Sequence, residues 1–157
     1  FMNNEMDDFS SKPGSPNMFG LIGGKANSIK PKKRMLSSMT PTIVERKGKL
    51  FLILGTPGGS TIITSVFQTI LNAYEYKMGI QASIDSPRFH HQWIPDSVRF
   101  EPNFKHTSEL KKLKSIGHQF DLHKSKFIGR VDAIMVDKIG NISVGADKRG
   151  DDNAQIY

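Results

Sequence analysis

Glu5, Asp7 and Asp8 place three carboxylates within four positions of the run Asn3-Asn4-Glu5-Met6-Asp7-Asp8, with no lysine beside them. A carboxylate that is held rigid and partly desolvated accepts charge-assisted hydrogen bonds from an ammonium, so this run could line a pocket for a cation. It could equally be a solvated acidic segment, or Asp7 or Asp8 could cap a short helix. Ser37-Ser38 lies between Lys33-Arg34 and Thr40-Pro41. Paired hydroxyls on a Pro-flanked loop can hold a carboxylate, and they can also simply form a turn. In Pro57-Gly58-Gly59-Ser60 two glycines allow close backbone approach just before a helix, where free N–H groups and the helix dipole favour an anion or oxyanion. A ligand-free strand-to-helix turn would use the same residues. His90-His91 invites a metal reading, but adjacent strand residues point to opposite faces and no third ligand has matching spacing, so structural hydrogen bonding is expected. Arg149-Gly150-Asp151 is read as a chance tripeptide, and neither G-x-S-x-G nor a P-loop is present.

The elements that must position these groups are legible in outline. The first forty residues are rich in Gly, Pro, Ser and Asn and read as extended loop. Thr42-Ile43-Val44 and Leu50-Phe51-Leu52-Ile53-Leu54 flank the turn signal Glu45–Lys49 and predict a β-hairpin whose second strand is buried on both faces. Ser60 is placed to cap a helix in which Ile62, Ile63, Val66, Phe67, Ile70, Leu71, Tyr74 and Met78 recur at helical spacing, ending near Gly79. A short helix over Ile80–Asp85, strands over Arg88–Trp93 and Val98–Glu101, and a helix over Ser108–Ile116 follow. Short strands over Gln119–His123, Ala133–Asp137 and Asn141–Gly145 close the chain, the last two as a hairpin. The pattern is α+β or layered α/β, read as a single domain over residues 1–157 without internal repeats.

Composition narrows the partners. The chain has 157 residues, 37% hydrophobic and 24% charged, with no cysteine and therefore no disulfide, thiolate nucleophile or Cys-based zinc site. No apolar run reaches the roughly 18 residues of a membrane span, and FMNNEMDDFS carries acids where a signal peptide needs basic and then apolar residues. The net charge of +7 is concentrated in residues 30–49 and 105–130, each with seven Lys or Arg. The first cluster is broken by prolines and the second lies on a plain amphipathic segment, which argues against nucleic acid as the partner.

In this order and at these separations, NNEMDDFS, KRMLSSMTPTIV, GTPGGSTIIT, PRFHHQW and GADKRGDD resemble the small, catalytic subunit of the γ-glutamyltranspeptidase (glutathione hydrolase) family, from Phe1 to Tyr157. The resemblance implies a layered αββα fold of the N-terminal-nucleophile hydrolases, here incomplete at its N-terminal strands. It also implies a zymogen that cleaves itself into large and small subunits, and a periplasmic or extracellular heterodimer. In such enzymes a new N-terminal Thr attacks a γ-glutamyl amide, as in glutathione, and the acyl group passes to water or to an amine. A Thr hydroxyl is a weak nucleophile until a base, commonly its own α-amine, takes its proton. By the same resemblance, Asp8 binds the substrate α-ammonium with Glu5 beside it, and Ser37 and Ser38 hold the α-carboxylate. Gly58 and Gly59 supply oxyanion N–H groups, and Phe19 lies on a lid loop. No metal and no cofactor is implied; the partners are the γ-glutamyl substrate and the large subunit.

The departures from the family pattern are specific. The nucleophilic Thr matches no position of this sequence and is expected some forty positions upstream of NNEMDDF; the substrate-clamping Arg is expected on the large subunit. Phe19 stands where a number of bacterial members carry Tyr, and so lacks the hydroxyl that would latch a lid. Met35 replaces the usual Pro ahead of Leu36-Ser37-Ser38. These departures leave two alternatives, a catalytically inactive remnant serving as a binding subunit and a related acylase.

Overall fold

The computed structural model describes residues 5–104, 107–121 and 127–157, with the side chains of Glu5 and Thr107 outside that description. Its contacts group the chain into two compact units, Phe1–Met39 and Thr40–Tyr157.

The first unit is built from turns rather than sheets, as its Gly, Pro and Ser content demands. A 3-10 turn over Glu5–Asp8 leads to a parallel bridge between Ser10 and Ser28. An antiparallel bridge between Pro16 and Ile22 closes a loop with Phe19 near its tip. A second 3-10 turn spans Lys25–Asn27, and after a turn at Pro31-Lys32, with Lys32 at φ +60°, the chain continues without regular structure to Met39.

The second unit begins with the expected hairpin, β1 (Thr42–Arg46) and β2 (Lys49–Gly55). Lys47 and Gly48 both adopt positive φ between Arg46 and Lys49, the two-residue geometry that matches strand twist. Helices α1 (Thr61–Tyr74) and α2 (Ile80–Asp85) follow. A small sheet of β3 (Phe89–His90), β4 (Val98–Phe100) and β5 (Phe120–Asp121) comes next, with α3 (Thr107–Ser115) between β4 and β5. The last two strands, β6 (Asp132–Val136) and β7 (Ile142–Gly145), complete an antiparallel sheet in the order β1-β2-β6-β7. The part of the predicted Gln119–His123 strand beyond Asp121 lies outside the described residues.

α1 and α2 pack on this sheet, burying Leu52, Leu54 and Ala133 against Ile62, Val66, Ala73, Ile80 and Ile84. The expectation that β2 is buried on both faces is corrected. Its other face joins the cross-strand row Ile43, Ile53, Ile134 and Val144, in which Ile43 is 68% and Ile53 36% exposed. Among the described residues, α1 and α2 pack on one side of this sheet, so an apolar strand need not be buried twice. α1 also ends at Tyr74, earlier than its apolar spacing suggests, and Ile63 and Phe67 face outward.

Candidate functional site

Within the first unit, two of the sequence-selected polar groups, Asp8 and Ser38, meet. The Ser38 hydroxyl donates to Asp8 Oδ2 at 2.9 Å, although the residues are thirty positions apart. Ser37 Oγ instead donates to Met39 O at 3.2 Å and accepts from Met39 N at 3.3 Å, which holds the Ser loop in a tight local turn. Asp8 is half-buried and does not act as a helix cap, and among the described residues its Oδ1 has no protein partner. Glu5 belongs to the same 3-10 turn, but its side chain lies outside the described residues.

The residue that joins the two halves of this arrangement is Asn27, which the sequence did not single out. Its Nδ2 donates to Asp8 O at 2.6 Å and its Oδ1 accepts from Leu36 N at 3.1 Å. One amide thus ties the acidic turn to the segment leading into Ser37-Ser38. The only hint in the sequence is its place in the Asn-containing turn Lys25-Ala26-Asn27-Ser28. Phe19 is 45% exposed on a loop tightened by Asn17, whose Oδ1 accepts from Phe19 N at 2.9 Å and Leu21 N at 3.0 Å.

Within the second unit, Gly58 (φ +139°) and Gly59 (φ +56°) form the turn into α1. Both conformations disfavour any side chain, and a Cβ on Gly58 would stand 2.4 Å from Thr61 Oγ1. Their carbonyls are engaged: Gly58 O accepts from Thr61 N at 3.1 Å and from Thr61 Oγ1 at 2.8 Å, and Gly59 O accepts from Ile62 N at 3.1 Å. Among the described residues, their N–H groups donate to no protein acceptor. Ser60 does not cap the helix as expected; its hydroxyl donates to Gln92 Oε1 at 2.7 Å, because β3 and the segment after it offer a partner that the helix N-terminus does not need.

The Gly turn rests on the segment 128–131. Arg130 N donates to Thr56 Oγ1 at 2.7 Å, and a Cβ on Gly129 would stand 2.5 Å from Ser65 Oγ. A cavity of about 500 Å3 opens there, lined in part by Gly58, Thr61, Gly129, Arg130 and Arg149. Two buried carboxylates hold this segment. Glu101 accepts from Ile128 N at 2.7 Å, and Asp147 accepts from Val131 N at 2.7 Å.

Those carboxylates are neutralised in place. Arg149 forks onto Glu101 at 2.7 and 2.5 Å and reaches Asp147 at 3.0 Å, while Arg88 pairs with Asp147 at 2.8 Å. Burial pushes the Asp147 carboxyl up, but N–H donors from Val131 and Arg149 and the Arg88 charge outweigh it, so it sits below its usual range. Burial and the nearby Arg149 lower Arg88, whereas Glu101 and Asp147 overcome burial and raise Arg149. With 8% of its side chain exposed, Arg149 cannot serve an Arg-Gly-Asp adhesion motif. His90 and His91 diverge: His90 bonds Thr64 and Gln92, and His91 pairs with exposed Asp96. Among the described residues no three His, Asp or Glu side chains converge as a metal site requires.

The architecture has clear counterparts. It superposes on a mutant Helicobacter pylori γ-glutamyltranspeptidase with a TM-score of 0.86 and 45% identity, covering 96% of this chain and 81% of that one. This is the mixed α/β fold of the N-terminal-nucleophile hydrolases. The chain is 45% identical over 152 residues to the glutathione hydrolase proenzyme of Escherichia coli K12, covering 97% of this chain and 26% of that protein. Against the glutathione hydrolase proenzyme of Pseudomonas sp. A14 it is 51% identical over 119 residues, covering 76% and 21%. The family model for γ-glutamyltranspeptidase matches residues 1–157, and the chain belongs to that family. It spans about a quarter of the length of these two proenzymes.

Proposed function

We propose that residues 1–157 form, as one domain, the C-terminal portion of the small catalytic subunit of a γ-glutamyltransferase that also hydrolyses glutathione. The hydrogen bond between Ser38 and Asp8 carries this reading most directly. It places an anionic acceptor beside a hydroxyl donor, the pair of chemistries that an amino acid head group, ammonium plus carboxylate, requires. Asp8, with Glu5 near it, takes the α-ammonium; Ser37 and Ser38 take the α-carboxylate. On binding, the Ser38 proton turns from Asp8 toward the substrate carboxylate, and the substrate ammonium replaces it at Asp8.

The Gly58 and Gly59 N–H groups receive the negative charge that develops on the amide oxygen when the nucleophile adds. Fixed backbone donors need little reorganisation at that moment, which is why such dipoles lower the barrier. The attacking group is the family's Thr, which matches no position of this sequence and belongs with the rest of the processed precursor. The acyl-enzyme then passes its γ-glutamyl group to water or to an amine. The Phe19 loop shields the site by apolar contact alone. The large subunit is the partner, and the location is periplasmic or extracellular; among the described residues no helix is long and apolar enough to cross a membrane.

The test is release of chromophore from a γ-glutamyl anilide. The processed enzyme containing residues 1–157 turns it over and transfers the γ-glutamyl group to an added dipeptide, and residues 1–157 alone do not. Turnover by residues 1–157 alone, abolished by Asp8→Ala, would contradict the need for the Thr.

A further inference from the structure

Four polar residues recur every fourth position along α1 and the turn before it: Ser60, Thr64, Gln68 and Asn72. Residues spaced by four share one face of a helix, so they form a polar stripe. Three of them bond one short stretch of chain, residues 89–92. Gln68 clamps the backbone of Phe89, donating to its O at 2.8 Å and accepting from its N at 3.1 Å. Thr64 Oγ1 meets His90 Nδ1 at 2.8 Å. Ser60 donates to Gln92 Oε1 at 2.7 Å, and His90 Nε2 lies 3.0 Å from the same oxygen.

Thr64 Oγ1 also lies 3.2 Å from Thr61 O and Ser60 Oγ 3.5 Å from His90 Nε2, and the shorter contacts select the proton positions. Gln92 Nε2 donates to Ile94 O at 3.0 Å, which turns Oε1 toward Ser60 and His90. Oε1 can only accept, so His90 Nε2 carries a hydrogen and donates; Nδ1 is then bare and accepts the Thr64 hydroxyl proton. Burial lowers the His90 pKa and keeps this neutral form. Ser60 directly follows Gly59, so whatever fixes Ser60 fixes the end of the Gly58-Gly59 turn.

We propose that His90 and Gln92 are positioning residues that act through Ser60 to set the direction of the Gly58 and Gly59 N–H groups. This deepens the oxyanion role given above to those glycines and rests on it. The Ser60 hydroxyl is withdrawn from capping α1 and used as a tether. The helix loses a side-chain cap, and the turn gains a fixed orientation relative to β3. Donors that must meet a developing charge lose effect with small errors of direction.

The experiment compares Ser60→Ala, Gln92→Ala, Ser60→Thr and Gly58→Ala in the processed enzyme containing this chain. Active sites are titrated through the acyl-enzyme burst, so that kcat is expressed per competent site. Ser60→Ala and Gln92→Ala are expected to lower kcat per site by about tenfold, a fraction of the 10²–10³ lost with a whole donor. KM for a γ-glutamyl anilide stays within about twofold, and Ser60→Thr, which keeps the hydroxyl, restores kcat. A purely structural role would instead reduce the number of titratable sites and leave kcat per site alone, and that result overturns the proposal. If Gly58→Ala lowers kcat per site while Ser60→Ala and Gln92→Ala do not, the tether fails and the oxyanion reading stands. If Gly58→Ala has no effect either, both fall. Should the variants not fold, the ¹⁵N shifts of His90 in the unmodified enzyme decide: a hydrogen on Nε2 is expected, and a hydrogen on Nδ1 overturns the proposal.

Discussion

Ser38 Oγ lies 2.9 Å from Asp8 Oδ2 and donates its proton there, joining the two ends of the first unit's polar chemistry. On the proposed function both side chains meet the same substrate head group, and here one bonds the other. The two side chains are thereby coupled. A double-mutant cycle with Asp8→Asn and Ser38→Ala is therefore expected to be non-additive, with a coupling within the ~0.5–3 kcal/mol range of contacting polar pairs. Ser38→Ala alone should lower kcat/KM roughly ten- to a hundredfold, as for loss of a hydrogen bond to a charged group. Steady-state kinetics with a γ-glutamyl anilide measure both quantities, and strict additivity would show that the pair does not act as a unit.

Asn27 holds the same arrangement through backbone atoms only. Asn27→Ala removes two hydrogen bonds of about 0.5–1.5 kcal/mol each and frees Asp8 and the Leu36 segment to drift apart. Its kinetic signature is a several-fold rise in KM with kcat little changed, since no contact to the reacting carbonyl is lost. A fall in kcat at constant KM would assign Asn27 a different role.

Gly58→Ala is expected to act on kcat. The added methyl meets Thr61 Oγ1 at 2.4 Å in a backbone conformation unsuited to L-residues, so the turn must move. The anticipated loss is about 10²–10³ in kcat, the cost of one misplaced oxyanion donor, with substrate KM nearly unchanged. An unaltered kcat would remove Gly58 from the site.

How much of this the sequence shows depends on the range of each interaction. The β1–β2 hairpin is legible because Lys47-Gly48 and its flanking apolar runs act within a few residues. The start of α1 after Ser60 is legible too, but the hydroxyl's partner is not, because Ser60 has the right identity for a cap yet finds Gln92 thirty-two positions away. The period-four stripe of Ser60, Thr64, Gln68 and Asn72 is visible in the sequence, but the apolar periodicity beside it masks its meaning; Ile63 and Phe67 extend the apolar face beyond what is buried. Nothing in the sequence marks Glu101, Asp147 and Arg149 as one buried cluster. Only folding reveals that Arg149 reaches Glu101 across 48 positions.

The buried charges make a stability prediction. Glu101→Gln leaves the Arg149 guanidinium without its forked partner and should destabilise by about 3–5 kcal/mol, measurable as a fall in denaturation midpoint. For Asp147 the native carboxyl lies below its ordinary value of 3.8, so the unfolded chain binds its proton more readily. Its contribution is complete above about pH 5 and is lost as pH falls through the native-state value. Asp147→Asn should lower stability near neutrality and flatten this acid limb. An unchanged slope of stability against pH would mean that the Asp147 carboxyl titrates alike in the native and unfolded chains.

The central claim is that the carboxylate of Asp8 recognises the α-ammonium of a γ-glutamyl group. Its most direct test is the ratio of kcat/KM for a γ-glutamyl anilide to that for the glutaryl anilide, which differs only in lacking the amine, in the processed enzyme and in its Asp8→Ala variant. Truncating one side of a buried charge pair costs about 2–5 kcal/mol, so the ratio should be large in the unmodified enzyme and collapse toward one in Asp8→Ala. The glutaryl substrate should be almost indifferent to the mutation. Equal losses for both substrates, with the ratio preserved, would contradict the account.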